Sequence, residues 1–389
     1  MAEQHNGAPA VGASVPDIEA IGKDQETQSD WLSRNRTSSE QIRLTKVAHM
    51  RYQHPDLDEI TQFLQGTDRI IRPRSIPGER AGDLSFYIVA NIAIDFADFG
   101  MHVAKKTDTK VWYRGYGPDQ YVYYAQKGPK KFLGGTFEVE SYAELEKASK
   151  LPGASAIENL DDAPGGGSLV SITDPEGFPV NLIYGQTPAE VGKLPEKLIV
   201  NYEVEKTRER KFQRFQTGPA AVHKLGHYGL CVTKFDELLQ WYTNTFNFVP
   251  TDLLYVNEPT APGEPEKRKT VAVFAHIDRG LDTVDHHTFF MSSNPTAHVH
   301  HCSFEVHDFD TQQLGHQWLE KKGYKSVWGV GRHILGSQIF DYWWDTTGNM
   351  IEHYADGDIV NELTPVGYLA AGHESLAVWG PEVPAWFLD

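Results

Sequence analysis

Three residues in the second half of the chain are of types that ligate a divalent metal: His227, His301 and Glu352. Each falls within a short run rich in β-branched and aromatic residues, so each is expected mid-strand, on three separate strands. Two imidazoles and one carboxylate, with coordination positions left over, form the facial set of a non-haem Fe(II) centre. His227 shares its strand face with Gly229 and Cys231, and His301 with Ser303; small residues there leave room beside a metal. His298 and His300 alternate onto the opposite face from His301 and read as surface or supporting residues. Glu352 is the demanding member. An ionised carboxylate inside an apolar strand is costly unless a cation or donors compensate it.

The element that must position Glu352 is a hairpin within Arg332–Tyr354. Its strands run from Gln338 to Trp344 and from Met350 to Tyr354, around the turn-forming Asp345-Thr346-Thr347-Gly348-Asn349. The same hairpin occurs earlier in the chain. Asp174 to Asn181 matches Asp345 to Glu352, and Thr136-Phe137-Glu138-Val139 matches Ser303-Phe304-Glu305-Val306. His49 with Asp58 to Phe63 matches His227 with Asp236 to Trp241 at one ungapped offset of 178 residues (227 − 49 and 236 − 58). Three anchors in the same order indicate duplication of a βαβββ-like unit. In the first copy the three key positions read His49, Gly134 and Asn181; in the second, His227, His301 and Glu352. The fold therefore does not require the second histidine or the acid, and the second copy carries chemistry that the first lacks.

Composition narrows the function classes. With 389 residues the chain exceeds one ordinary core. Its 36 basic against 53 acidic side chains disfavour nucleic acid or an anionic membrane surface as partner. Two cysteines, Cys231 and Cys302, exclude a disulfide framework and point to a reducing compartment. No run approaches a membrane span and no apolar signal core begins the chain, so a soluble, cytoplasmic protein is expected.

The expected class is α+β: two tandem modules of paired βαβββ units, the second forming an open barrel around a metal. Residues 1–40 are expected to be a disordered or subunit-packing arm. A metal-free module follows over 41–187, a connection over 188–220, the metal-binding module over 221–358 and a surface-packing tail over 359–389. Within the first module, strands are expected over Val47–Tyr52, Leu84–Ala93, Val111–Tyr113, Tyr121–Gln126, Phe132–Val139, Leu169–Thr173 and Val180–Tyr184, with helices over Asp56–Leu64 and Ser141–Ser149. Phe289, Phe290, Trp328, Trp343 and Trp344 are candidates for an aromatic pocket or for core, and Arg332 for a pair with Asp341 or an anionic substituent.

The second half resembles the type I extradiol ring-cleaving dioxygenases of the vicinal oxygen chelate superfamily. Their signature spaces a histidine, a tyrosine nine residues on and a metal-binding glutamate ten further; here these are His333, Tyr342 and Glu352. The second metal histidine of the family ends a His-His or Asn-His pair before an aromatic strand, which fits His301 in His300-His301-Cys302-Ser303-Phe304. A catalytic histidine lies about fifteen residues earlier, on His286 in Asp285-His286-His287, with neighbouring His287 as the alternative. One departure is Thr346, where the family commonly has proline; the first copy keeps Pro175. The resemblance implies Fe(II), with Mn(II) possible in its place, on His227, His301 and Glu352. It implies His286 as acid/base, Tyr342 hydrogen-bonding the substrate, and His333 lining the pocket. The implied partners are a small aromatic diol and O2, and the implied assembly is a homo-oligomer.

Three other readings compete. A 4-hydroxyphenylpyruvate dioxygenase shares the triad, but its Gly/Phe-rich C-terminal motifs are absent. A glyoxalase-like isomerase needs a fourth protein ligand and leaves His333 and Tyr342 unexplained. A non-catalytic module would bind metal or aromatics only. Its structural Zn site would be closed by four ligands.

Overall fold

The computed structural model describes residues 25–66, 98–192, 194–261, 266–372 and 376–388. It is an α+β fold of two modules, as expected. Each module carries βαβββ units joined side by side into one curved sheet. The first sheet has eight described strands, and the expected strand over Leu84–Ala93 lies outside the described residues.

In the second sheet the Val222–Val232 strand lies at the centre. On one side it pairs in parallel with Phe289–Ser293, and beyond that come Lys267–Ile277 and Phe248–Glu258. On the other it pairs antiparallel with His298–Val306, followed by Met350–Ala355, Ile339–Trp344 and Ser326–His333. The two halves are the two βαβββ units, with helices Phe235–Thr245 and Phe309–Lys322 as their crossovers. The longer helix starts where the Asp308 carboxylate accepts from the Thr311 N–H. It stops at Gly323, whose φ of +83° suits the left-handed cap.

The 345–349 turn is fixed by one side chain. Asp345 Oδ1 accepts from the backbone N–H groups of Thr347 and Asn349, which sets the register that pairs Tyr342 with Glu352. Asp174 does the same in the first module, accepting from Glu176, Gly177 and Phe178. Thr346 in place of proline therefore leaves the turn intact.

The modules share a core. Phe137 and Phe132 of the first approach Tyr228 of the second at 5.8 and 6.3 Å between ring centroids, and Phe99 stacks on His353 at 3.8 Å. Burial of these rings supplies the main attraction between the halves.

Two expectations are corrected. Within the supposed arm, Gln28–Asn35 is a helix capped by Thr27. It buries Trp31, and Arg36 donates to the carbonyls of Thr243 and Phe248. Residues 25–40 thus pack on their own chain, because one buried tryptophan anchors an otherwise polar stretch. The tail is also more regular than expected. Val366–Ala370 joins the sheet edge parallel to Phe248–Glu258, and Ala377–Trp379 pairs with Ser326–His333. Both edges were open to an added strand.

Candidate metal centre

The strand registers place the three ligand candidates side by side. His227 lies opposite Ser303, and Ser303 lies opposite Glu352, so all three face the concave side of the sheet. His301 precedes Ser303 by two residues and lies opposite Gly229. A Cβ on Gly229 would meet Phe290 at 2.6 Å and the His301 ring at 3.1 Å, so glycine there admits the imidazole.

One ligand atom from each of His227, His301 and Glu352 lies within 4.8 Å of the others. His227 Nε2 stands 3.3 Å and His301 Nε2 3.6 Å from Glu352 Oε2. All three are buried, at 2%, 5% and 0% exposure. Both Glu352 oxygens and His301 Nε2 lack any hydrogen-bond partner. A wholly buried carboxylate with no donor is unsustainable in that state, and a divalent cation between the three is what their donor set fits.

The surrounding hydrogen bonds settle which nitrogens carry protons. His300 Nε2 lies 2.6 Å from the Phe387 carbonyl, which can only accept, so Nε2 is the protonated nitrogen. With His300 neutral, its Nδ1 accepts from His301 Nδ1–H at 2.6 Å, and His301 Nε2 keeps its lone pair for a metal. Burial pushes His300 down to about 4, and burial with His300 beside it pushes His301 well below the usual range, which keeps both neutral. Likewise His333 Nδ1 donates to the Leu376 carbonyl at 2.8 Å. Its Nε2 then accepts from the Tyr342 hydroxyl at 3.0 Å, leaving the Tyr342 oxygen free to accept.

Of the histidine pair at 286–287, it is the alternative, His287, that faces the cavity. His286 points away from the ligand group: its Nε2 donates to Asp252 Oδ2 at 2.8 Å, and its Nδ1 lies 3.1 Å from His287 Nδ1. It is His287 that lines the cavity, with its ring centroid 4.1 Å from that of His227. Because the Phe289–Ser293 strand begins just after the pair, adjacent residues take opposite directions. The Asp252–His286 pair makes His287 Nδ1 the donor and leaves His287 Nε2 without a proton. Burial, then His227, hold His287 well below its ordinary pKa.

His227, His287, His301, His333 and Tyr342 all line one cavity of about 460 Å³. Sequence reasoning favoured His286, with His287 as the alternative, and read His300 as a surface or supporting residue. A register shift between Gly229 and Leu230 opposite Val299–His301 brings His300 onto the cavity side as well, and such a bulge leaves no mark in an alternating pattern. The tail contributes Leu376, Val383 and Phe387 to the wall. Phe290 and Trp328 line the cavity, whereas Phe289 and Trp343 are core and Trp344 stacks on Trp386. Arg332 pairs with Asp356 rather than Asp341, which instead accepts from Trp343 and faces His316.

Comparison with known proteins accords with this geometry. Residues 224–353 match the model of the Glyoxalase/Bleomycin resistance protein/Dioxygenase superfamily. The chain is 28% identical over 250 residues to metapyrocatechase 2 of Cupriavidus necator, covering 64% of this chain and 71% of that one. It is 24% identical over 255 residues to biphenyl-2,3-diol 1,2-dioxygenase of Paraburkholderia xenovorans (strain LB400), covering 63% and 74%. The fold is shared with homoprotocatechuate 2,3-dioxygenase from Arthrobacter globiformis (TM-score 0.65, 17% identity, 91% of this chain and 94% of that one). It is shared too with a Mn(II)-bound glyoxalase from Novosphingobium aromaticivorans (TM-score 0.62, 16% identity, 88% and 95%). With its duplicated modules and its two-histidine, one-carboxylate group, the chain is similar to these extradiol dioxygenases, and its residues 224–353 match the glyoxalase/bleomycin resistance protein/dioxygenase superfamily.

Proposed function

We propose that the protein opens the ring of a catechol-type diol with O2 by extradiol cleavage, at a centre held by His227, His301 and Glu352. The observation that carries this reading is the buried, unpartnered ligand group beside a cavity that His287 and Tyr342 also line. Fe(II), or Mn(II) in its place, would act there as a Lewis acid toward the diol and as the electron source for O2.

The chain's own residues supply the rest. His287 Nε2, unprotonated and facing the cavity, takes a proton from a substrate hydroxyl and returns one as the ring opens. Asp252 and His286 hold His287 in that tautomer. The Tyr342 oxygen, its own proton given to His333, accepts a hydrogen bond from the diol and orients it. Apolar walls exclude water from the reacting atoms. The ring carbon–carbon bond beside the diol breaks, both atoms of O2 enter the product, and a ring-opened hydroxy-semialdehyde or related acid leaves.

The metal-ligand group among the described residues has three members, not the four of an isomerase-type site. The test is aerobic incubation of the Fe(II)-loaded protein with catechol and substituted catechols, watching for a yellow ring-fission product. Metal-loaded protein that opens none of a broad panel would overturn the reading in favour of a binding module.

A further inference from the structure

Each of the three ligand residues is followed in the chain by one that points through the sheet, away from the cavity. These three, Tyr228, Cys302 and His353, are buried, and all of them face the first module. Tyr228 packs on Phe132 and Phe137, and on Gly135, where a Cβ would meet its ring at 2.3 Å. The Cys302 thiol faces the Tyr52 hydroxyl. His353 makes the most specific contact. Its ring stacks on Phe99 at 3.8 Å, and its Nε2 donates to the Phe99 carbonyl at 2.8 Å.

Phe99 is itself held on both sides. The buried Asp98 carboxylate accepts from Trp318 Nε1 at 2.9 Å and the Tyr324 hydroxyl at 3.0 Å, and pairs with Lys322 at 2.9 Å. The Gly100 carbonyl accepts from the Val222 N–H at 2.9 Å. Asp98 to Gly100 is thus a plug of the first module seated in the second, with His353 against its centre. On the cavity side nothing comparable holds Glu352, since neither of its oxygens has a hydrogen-bond partner. Metal-ligating carboxylates are ordinarily oriented by hydrogen bonds of their own. Here the strand that carries Glu352 is fixed from behind instead, one residue along.

Resting on the metal-centre assignment above, we propose that the metal-free module is the positioning element of that centre, and that His353, docked on Phe99, is the positioning residue for Glu352. The copy without ligands thereby has a part in binding the metal.

The test measures the Co(II) affinity of the metal-free full chain by competition with a chelating dye, and the visible spectrum of the bound ion. Co(II) accepts the same nitrogen and oxygen ligands as Fe(II). His353→Leu keeps an apolar side chain but removes the donor, and should weaken Co(II) by about 10–100-fold and alter its spectrum. His353→Gln retains an N–H donor and should return the affinity to within about threefold of the wild type. Arg51→Ala breaks the bond to Asn181 within the first module and should leave affinity and spectrum unchanged. Circular dichroism establishes that each chain is folded at the temperature used. Should His353→Leu not fold, Phe99→Leu, which removes the stacked ring and keeps the carbonyl, carries the same expectation. Wild-type affinity in that variant, a loss that His353→Gln does not recover, or an equal loss in Arg51→Ala overturns this proposal. Each of those results leaves the metal-centre and extradiol readings standing. A wild type that binds no Co(II) overturns the metal-centre assignment and this proposal with it.

Discussion

The two modules run the same backbone past the same point and arrive at opposite solutions. In the first, Thr136 lies opposite both His49 and Asn181, as Ser303 lies opposite both His227 and Glu352. Arg51 lies opposite Gly134, as Gly229 lies opposite His301. Where the second module leaves both oxygens of Glu352 unpaired, the first satisfies both ends of the Asn181 amide. The amide of Asn181 donates to the carbonyls of Leu133 and Gly135, and its oxygen accepts from Ser171 and from Arg51. The Arg51 guanidinium, on the position of Gly229, lies 5.1 Å over Tyr124. A cation built into the chain thus stands where the second module is arranged to receive one from solution. Gly134 has φ of +102°, and a Cβ there would meet the Pro179 carbonyl oxygen at 2.3 Å, so a histidine like His301 is sterically barred. The lesson is that the fold is indifferent to the triad, and the unpaired polar atoms of the second module are retained for a ligand.

That contrast can be broken in several ways. The largest effect is expected from His301→Ala. It should abolish metal binding and lower turnover by about a thousandfold or more, while the melting temperature of the metal-free protein changes little, because removing the unpartnered Nε2 offsets the Nδ1 bond lost to His300. Circular-dichroism melts alongside turnover check both halves. His287→Gln should leave metal content unchanged and lower kcat by about 10²–10⁴-fold. His286→Gln should cost less, about 10–100-fold, since it acts through His287. An equal or larger loss at His286 would restore it as the acid/base.

Arg51→Ala sharpens the other side of the comparison. It leaves Asn181 short of a donor in the first module, so stability to urea should fall by about 1–3 kcal/mol with turnover per folded molecule unchanged. The smallest effect concerns pH. Burial lowers the pKa of His54, bonded to Tyr123 and Thr347 between the modules, to about 4 from its ordinary value of 6.5. The unfolded chain therefore takes up a proton there below pH 6.5 while the native one does not until about 4, and stability falls across that window on acidification. His54→Gln should flatten the melting temperature over that range.

Much of this was legible in the residues. The duplication was visible because its offsets are nearly constant, and the structure reproduces the pairing those offsets imply. Glu352 was legible because an acid interrupts an apolar strand at the position of Asn181. The choice of His287 over His286 was not, since adjacent histidines before a strand differ only in direction, and the His286–Asp252 bond that orients the pair is set by tertiary packing. His300 was hidden by a bulge. Phe387 was hidden because a Pro-containing tail has no periodicity from which a pocket wall can be read. The packing of residues 25–40 turned on Trp31 alone, a signal too sparse to outweigh the polar sequence around it.

The most direct test of the central claim is metal content by elemental analysis after loading with Fe(II) and desalting, on three proteins side by side. The account predicts a single tightly held metal per chain in the wild type, none in Glu352→Gln and an unchanged content in Asn181→Ala. Metal retained by Glu352→Gln, or lost from Asn181→Ala, would contradict it.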